Sequence, residues 1–217
     1  ISKGGASNSM MWVRALVNSF IVSLPTALIS VAVGLGIGYS VTKLRFGGKK
    51  FIMNTLLFQM FFPAIILLVP RYMIAKPMAN KYVGMIIPLS ISVWAIFMYI
   101  NYFRTLPDAV FEAARIDGAH EFRIFNQIVL PLMKPAIAVQ AIFTFVASWN
   151  NYFIPSLLLN KDSKKTLPIL IAQLRSADFL KFDMGKVYMM LGFAILPVIV
   201  VYLCLSKFIV RGVTLGG

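Results

Sequence analysis

The chain has 217 residues, 59% of them apolar and 13% charged, and 21 Lys and Arg against 7 Asp and Glu give it a net charge of +14. Soluble domains are roughly 45–50% apolar and about a quarter charged, so this chain has too little polar surface to cover a soluble fold. The same excess of apolar residues excludes disorder, and the single cysteine, Cys204, excludes a disulfide framework. An integral membrane protein remains.

Five stretches contain no Asp, Glu, Lys or Arg: residues 15–42, 51–70, 82–103, 135–160 and 187–206. Each reaches the length of about 20 residues that a helix needs to cross the hydrocarbon, and none is long enough to cross twice. A charge at mid-bilayer costs roughly 2.5–3.5 kcal/mol, which accounts for the segregation. The runs do not alternate as barrel strands do. The pattern predicts an all-α integral membrane protein, a helical bundle of five transmembrane helices over about 15–42, 51–74, 82–103, 135–159 and 187–207, forming one domain over 1–217. Every run holds a proline (Pro25, Pro63, Pro88, Pro155, Pro197), which membrane helices tolerate as ordinary kinks or as hinges.

The first run also carries Gly34, Gly36 and Gly38. A nucleotide loop needs a strand before it. Inside a membrane helix these glycines predict close helix–helix approach. Residues 1–14 have no apolar core and are not a signal peptide. Basic residues are nearly balanced between the two faces, and the dense loop of Lys43, Arg45, Lys49 and Lys50 weights its own side toward the cytoplasm. Their scatter over both faces argues against a nucleic-acid partner.

The segment 104–134 is too polar to span. Thr105-Leu106-Pro107-Asp108 predicts a helix start capped by Thr105, with Val110, Phe111 and Ala114 on one apolar face. Gly118 predicts a left-handed stop. A second helix resumes near His120-Glu121, placing Phe122, Phe125, Ile128 and Val129 on one side, and ends before Pro131. Such a helix–Gly–helix hairpin is either an interfacial anchor or a docking element for a partner.

Glu112-Ala113-Ala114, three residues, Gly118, nine residues, then Ile128-x-Leu130-Pro131 resembles the complete EAA signature of permease subunits of bacterial ABC importers. Asp117-Gly118-Ala119 has the form common in sugar permeases. Asn18-Ser19 opening a membrane helix, Leu44-Arg45-Phe46-Gly47-Gly48, Ser148-Trp149-Asn150-Asn151-Tyr152-Phe153-x-Pro155 and Phe208-x-x-Arg211-Gly212 are similar to the maltose-type carbohydrate branch. The resemblance covers nearly the whole chain and points to the smaller, maltose-G-like partner of a heterodimeric pair.

The resemblance implies six membrane helices, the first lying before Ile1, in a bacterial plasma (inner) membrane. It implies that 105–131 is a cytoplasmic coupling hairpin seated on an ATPase subunit, with Glu112, Ala113, Ala114, Asp117, Gly118, Ala119 and Pro131 as coupling residues. The implied partners are a second homologous permease, two ATPase subunits, an extracytoplasmic solute-binding protein, the sugar and the lipid bilayer. ATP and Mg belong to the ATPase, and no cofactor to this chain. The loop 160–186 becomes extracytoplasmic; its Lys161, Asp162, Lys164, Lys165 and Asp178 either meet the binding protein or form a solvated connection.

A sugar needs a flat apolar face and partners for its hydroxyls. Trp149, Asn150, Asn151 and Tyr152 offer both inside a membrane run, where interhelical hydrogen bonding is the competing use. Gln59 lines the path or bonds a neighbour; Trp94, Asn101 and Tyr102 have the same mix nearer the membrane edge. The only histidine, His120, sits at the hairpin turn and cannot form a metal site alone, and Cys204 is expected as a small buried apolar residue. The acids have no nucleophile beside them, and G-x-x-x-x-G-K-[ST] does not occur. The chain is therefore expected to be no enzyme, with ATP hydrolysis on separate subunits. The expected function is translocation of a sugar, an oligosaccharide, by alternating access. One alternative is an EAA permease for another solute, such as glycerol phosphate or an amino acid. The other is an ATP-independent secondary transporter, which should carry intramembrane charges that the five runs lack.

If both termini are cytoplasmic, as the resemblance implies, the parity of spans generates one prediction: the native reading frame encodes another membrane helix before Ile1. Mapping the start codon checks it, and a native start within a few residues of Ile1 contradicts it.

Overall fold

The computed structural model describes residues 3–176 and 184–214, and every regular element among them is helical. In chain order these are α1 (Lys3–Lys43), α2 (Lys49–Met60), α3 (Leu68–Ala75), α4 (Val83–Ser90), α5 (Val93–Thr105) and α6 (Asp108–Ile116). There follow α7 (Glu121–Ile124), a π-helical turn (Phe125–Val129), α8 (Leu130–Leu132), α9 (Lys134–Trp149), α10 (Phe153–Leu158), α11 (Leu167–Ser176) and α12 (Met184–Thr214).

Among the described residues three segments are long and apolar enough to cross a membrane: Met10–Lys43, Val83–Thr105 and Tyr188–Ile209. Glu121–Leu132 and Lys134–Trp149, meeting at 75°, make a fourth if taken as one bent span. The expected single helix over 51–74 is instead divided into α2 and α3 around Pro63. Proline lacks an N–H for the ladder and pushes its predecessor out of the helical region. The run over 135–159 likewise divides, because α9 ends at Trp149 and α10 begins at Phe153. α1 starts twelve residues before the predicted 15, so Asn18-Ser19 lies well inside a helix and does not open one. Pro25 and Pro197 are carried within α1 and α12.

α1 is amphipathic in the inverted sense. Val13, Val17, Ile21, Leu24 and Leu28 are exposed, whereas Asn18, Ser19, Ser23, Thr26 and Ser30 are buried. In water this would be unstable; in lipid the apolar face meets hydrocarbon and the polar face turns into the bundle, where Asn18, Ser19 and Thr26 find hydrogen-bond partners and the Ser23 and Ser30 hydroxyls do not. α12 shows Tyr188, Phe193, Ile199 and Leu203 outward in the same way. Cys204, expected inside, is exposed on this apolar helix. Sequence alone could not orient it, because α12 is apolar on all sides.

α1 packs against α9, α5, α4 and α11, and α12 packs against α9. The glycines do what their spacing predicts, but only two of the three are used. A Cβ at Gly34 would lie 3.0 Å from the Tyr99 ring and one at Gly38 would lie 2.9 Å from Tyr99 Cβ, while Gly36 has nothing within 4 Å. The four-residue interval is what brings Gly34 and Gly38 to one face.

Gly38→Ala should therefore destabilise the protein by about 1–3 kcal/mol through overpacking. Gly36→Ala should be neutral or stabilise by roughly 0.5–1 kcal/mol through helix propensity. Thermal denaturation of the two variants in detergent gives the comparison, and equal effects would remove the close-approach explanation.

Candidate functional site: a clamped hairpin and a polar chamber

The hairpin forms as its residues dictate, with one shift at its start. α6 begins at Asp108, with Pro107 as the flanking residue. Thr105 is not the cap: it ends α5, and its hydroxyl donates to the Tyr102 carbonyl at 2.7 Å. Proline at 107 drives Leu106 to extended backbone (φ −79°, ψ 130°), so the helix cannot start earlier. The end of α6 is a Schellman motif. Gly118 (φ +78°) is left-handed, its N–H donates to Arg115 O at 3.1 Å, and the Ala119 N–H donates to Ala114 O at 3.0 Å.

Beyond the turn, Ile124 and Val129 are fully buried while Phe122 is 72% exposed, against the expectation that Phe122 shares the buried face. The π-helical turn explains this. It adds a residue to the turn and rotates Val129 inward relative to Phe122. The helical path also continues through Pro131 to Leu132, two residues further than predicted.

One side of the hairpin is bolted to the bundle. Phe111, Ile124, Val129 and Met133 join Leu35, Tyr39, Tyr99 and Phe103 in one core cluster. Lys43, the last residue of α1, donates from Nζ to Asp108 Oδ1 at 2.6 Å and to Leu106 O at 2.9 Å, over the Phe111 ring at 4.6 Å. Tyr39 Oη donates to Glu121 Oε2, and Arg115 donates to Glu121 Oε1 at 2.9 Å and to the Lys43 carbonyl at 3.1 Å. These cations sit at the C-terminal end of α1, where the helix dipole favours them. The Lys43 ammonium holds the Asp108 carboxyl below the usual carboxylate range, and the Glu121 hydrogen bond raises Arg115. A depressed carboxyl contributes stability above its unfolded value of about 3.9 and loses it only as pH falls through the lower folded value.

The opposite side is free. Glu112, Ala113, Asp117 and Gly118 are exposed, Ile116 is 85% exposed, and Glu112 has no ion pair among the described residues. Ala114 and Ala119 pack partly against the core, and Pro131 is exposed.

A chamber of about 620 Å³ lies between α2, α3, the α4–α5 break and α9. Gln59, Arg71, Trp94, Gln140, Thr144, Ser148 and Asn151 are among its lining residues. Trp94 and Phe143, both about half exposed, meet edge to face at 5.5 Å. Gln140 is 1% exposed; its Nε2 donates to Thr144 Oγ1 at 2.8 Å, while its Oε1 and the Ser148 hydroxyl lack protein partners. Gln140 escaped the sequence reading, although its i, i+4, i+8 spacing with Thr144 and Ser148 in an uncharged run was the available signal.

The predicted Trp-Asn-Asn-Tyr group is divided. Asn151 lines the chamber; Trp149, Asn150 and Tyr152 line a separate cavity of about 450 Å³ beside α11 and α12. Trp149 is buried, stacked on Phe145 at 5.5 Å and edge-on to Phe20 at 4.9 Å, with Nε1 donating to the Ala194 carbonyl at 3.1 Å. Its ring faces are occupied by packing.

The loop after α10 is tied down. Asn18 Nδ2 donates to the carbonyls of Ser163 and Lys165, and Asn80 Oδ1 accepts from the N–H groups of Asn160 and Lys161. Lys165 pairs with Asp162, Lys164 sits over the Tyr82 ring, and Lys161 and Asp162 are exposed. Asp178 lies outside the described residues. Asn18 and Lys43 stand 25 positions apart on α1, about 37 Å at the helical rise, so the tied loop and the hairpin occupy opposite ends of a bilayer-length helix.

Residues 30–215 match the family model for the inner membrane component of binding-protein-dependent transport systems. The arabinooligosaccharides transport permease AraQ of Bacillus subtilis is 34% identical over 205 residues, covering 92% of this chain and 71% of AraQ. The sn-glycerol-3-phosphate transport permease UgpE of Yersinia enterocolitica is 29% identical over 211 residues, covering 96% of this chain and 75% of UgpE. Among solved structures, a bacterial ABC transporter importing the acidic polysaccharide alginate matches with a TM-score of 0.80 at 23% identity, over 91% of this chain and 75% of that one. The MetNI methionine transporter matches with a TM-score of 0.74 at 16% identity, over 98% and 99%. Both show the fold.

The clamp generates a prediction. Tyr39→Phe removes a hydrogen bond to a charged group, worth about 1.5–3 kcal/mol, from the hairpin's attachment. Hydrogen exchange should show the amides of 108–130 opening roughly 10–100 times more often, with the remainder of α1 unchanged. Unaltered exchange would mean that the apolar cluster alone holds the hairpin.

Proposed function

The chain belongs to the family of inner membrane components of binding-protein-dependent transport systems, and we propose on that premise that it is one of two homologous permeases carrying a sugar, an oligosaccharide, through an ABC importer. Two ATPase subunits with ATP and Mg supply the energy, and an extracytoplasmic binding protein delivers the solute. The hairpin 105–131 faces the cytoplasm and docks on an ATPase through Glu112, Ala113, Ala114, Asp117, Gly118 and Ala119, while Pro131 turns the chain back toward α9. The loop carrying Lys161, Asp162, Lys164, Lys165 and Asp178 faces the binding protein. The chain crosses the membrane five times, the second crossing being α2 and α3 in series around the break at Pro63.

The observation that carries this reading is the two-sided hairpin. Its inner side is clamped to α1 and its outer side offers an unpaired carboxylate, Glu112, beside exposed Ile116. A rigidly attached lever with a free docking face is what transmission of ATPase motion into a bundle requires. The sugar class is supported by the AraQ likeness and by the chamber, whose half-exposed Trp94 and Phe143 rings and unpartnered Gln140 and Ser148 oxygens suit a hydroxylated ring. Gln59 and Asn151 belong to the path; Trp149, Asn150 and Tyr152 support it from behind.

Two predictions follow from this arrangement. Glu112→Ala and Gly118→Val should leave the protein in the membrane but release the ATPase, or leave hydrolysis unresponsive to loaded binding protein. A desolvated interfacial pair is worth roughly 2–5 kcal/mol, against less than about 1 kcal/mol for an exposed charge. At Gly118 nothing lies within 4 Å of a Cβ, so the cost, about 1 kcal/mol or more, comes from the left-handed backbone. Co-purification and stimulated hydrolysis in liposomes decide, and full assembly with full stimulation in both variants would reduce the hairpin to an anchor.

The tryptophans should separate. Trp94→Ala should lower substrate uptake with little loss of thermal stability, whereas Trp149→Ala should destabilise the fold by about 3–5 kcal/mol, as large core truncations do. Uptake kinetics and melting curves measured together test this; the reverse pattern would move the path to the second cavity.

A further inference from the structure

Arg71 is the one formally charged residue lining the chamber. It is half-buried on α3, and among the described residues it makes no ion pair or side-chain hydrogen bond. Among the described residues the chamber's lining holds no Asp or Glu that could neutralise a guanidinium. A half-buried guanidinium without a partner in the chain is free to take one from outside it. A chamber for a neutral sugar does not require it, because amides and hydroxyls suffice for sugar hydroxyls and are already present in Gln59, Gln140, Thr144, Ser148 and Asn151. A guanidinium does have a specific partner: its planar fork matches a carboxylate or a phosphate with two parallel hydrogen bonds.

We infer that the transported solute carries an anionic substituent, a carboxylate or a phosphate, on a hydroxylated body, and that Arg71 receives that anion while Gln140, Ser148 and the Trp94–Phe143 pair receive the remainder. The inference rests on the chamber being the substrate path. Its volume of about 620 Å³ lies within the ordinary range for small-molecule sites. The two unpartnered buried oxygens, Gln140 Oε1 and Ser148 Oγ, lie on the same lining as the cation. A solute with one charged end and a hydroxylated body would meet Arg71 and the half-exposed Trp94–Phe143 rings at once, and a shift of α9 would bring it to the two buried oxygens.

The test uses the whole importer, with both permeases, the ATPases and its own binding protein, in proteoliposomes. Uptake is measured for a neutral oligosaccharide, for the same oligosaccharide ending in a uronate, and for a polyol phosphate, in wild type, Arg71→Gln, Arg71→Lys and Gln140→Ala. The wild type should prefer one of the two anionic solutes, and which one identifies the anion. Arg71→Gln should lower the ratio of anionic to neutral kcat/KM at least tenfold, with Arg71→Lys recovering part of it. Gln140→Ala should lower uptake of every solute without changing that ratio.

A wild type that prefers the neutral solute would overturn the inference, as would an unchanged ratio in Arg71→Gln. Loss of permease pairing in Arg71→Gln, read by co-purification, would also overturn it, because it would assign the guanidinium to a carboxylate of the second permease. If Gln140→Ala has no effect on any solute, the chamber is not the path. That outcome removes the underlying reading itself and is distinct from a failure confined to Arg71.

Discussion

Hydrocarbon cannot hydrogen-bond, and that constraint organises the whole molecule through α1. The helix turns Ser19, Ser23, Thr26 and Ser30 inward and its branched apolar residues outward. Each part of its inward face has a different task. Asn18 and Ser19 hold the loop after α10, Ser19 by accepting from the Leu167 N–H at 2.9 Å. Gly34 and Gly38 admit Tyr99. Tyr39 and Lys43 hold the hairpin. A single helix therefore links both ends of the molecule to its middle, and a displacement at one end has a stiff path to the other.

The hairpin has a second route into the bundle. α7, the π-helical turn and α8 lead directly to α9 across the 75° bend at Met133, which is itself fully buried. α9 carries Gln140, Thr144 and Ser148 along the chamber. A push on the hairpin thus reaches α1 through side-chain clamps and α9 through the backbone. Movement of one against the other would reshape the space between α9 and the broken α2–α3 pair. Discrete rearrangement of packed helices is the physical form such switching takes.

Much of this was legible in the residues, and the exceptions have causes. Charge segregation located the apolar segments, and the motif from Glu112 to Pro131 identified the hairpin, whose Gly118 adopts the left-handed conformation its position demands. The break at Pro63 was not read, because proline inside an apolar run is compatible with both a kinked helix and a divided one. For Trp149 the residues leave solute contact and interhelical hydrogen bonding both open, and the structure gives a hydrogen bond to the Ala194 carbonyl of α12. Phe145 lies one helical turn before Trp149 and could be placed by spacing, but composition cannot reveal that the remote Phe20 packs against it as well. Gln140 was overlooked because a lone amide attracts less notice than a cluster, although its helical register with Thr144 and Ser148 held the information. Phe122 was misplaced by a π-helical turn, which leaves no compositional trace.

Cys204 is the only cysteine in the sequence and lies exposed on the outward apolar surface of α12. Its thiol sits on the exposed apolar surface of the described helices. Because a maleimide adds to the thiolate, its rate of labelling would report whether water reaches this surface. An environment-sensitive fluorophore at this position would report contact with hydrocarbon, water or a neighbouring subunit as distinct emission maxima, giving an optical readout of how α12 is covered as the transporter assembles.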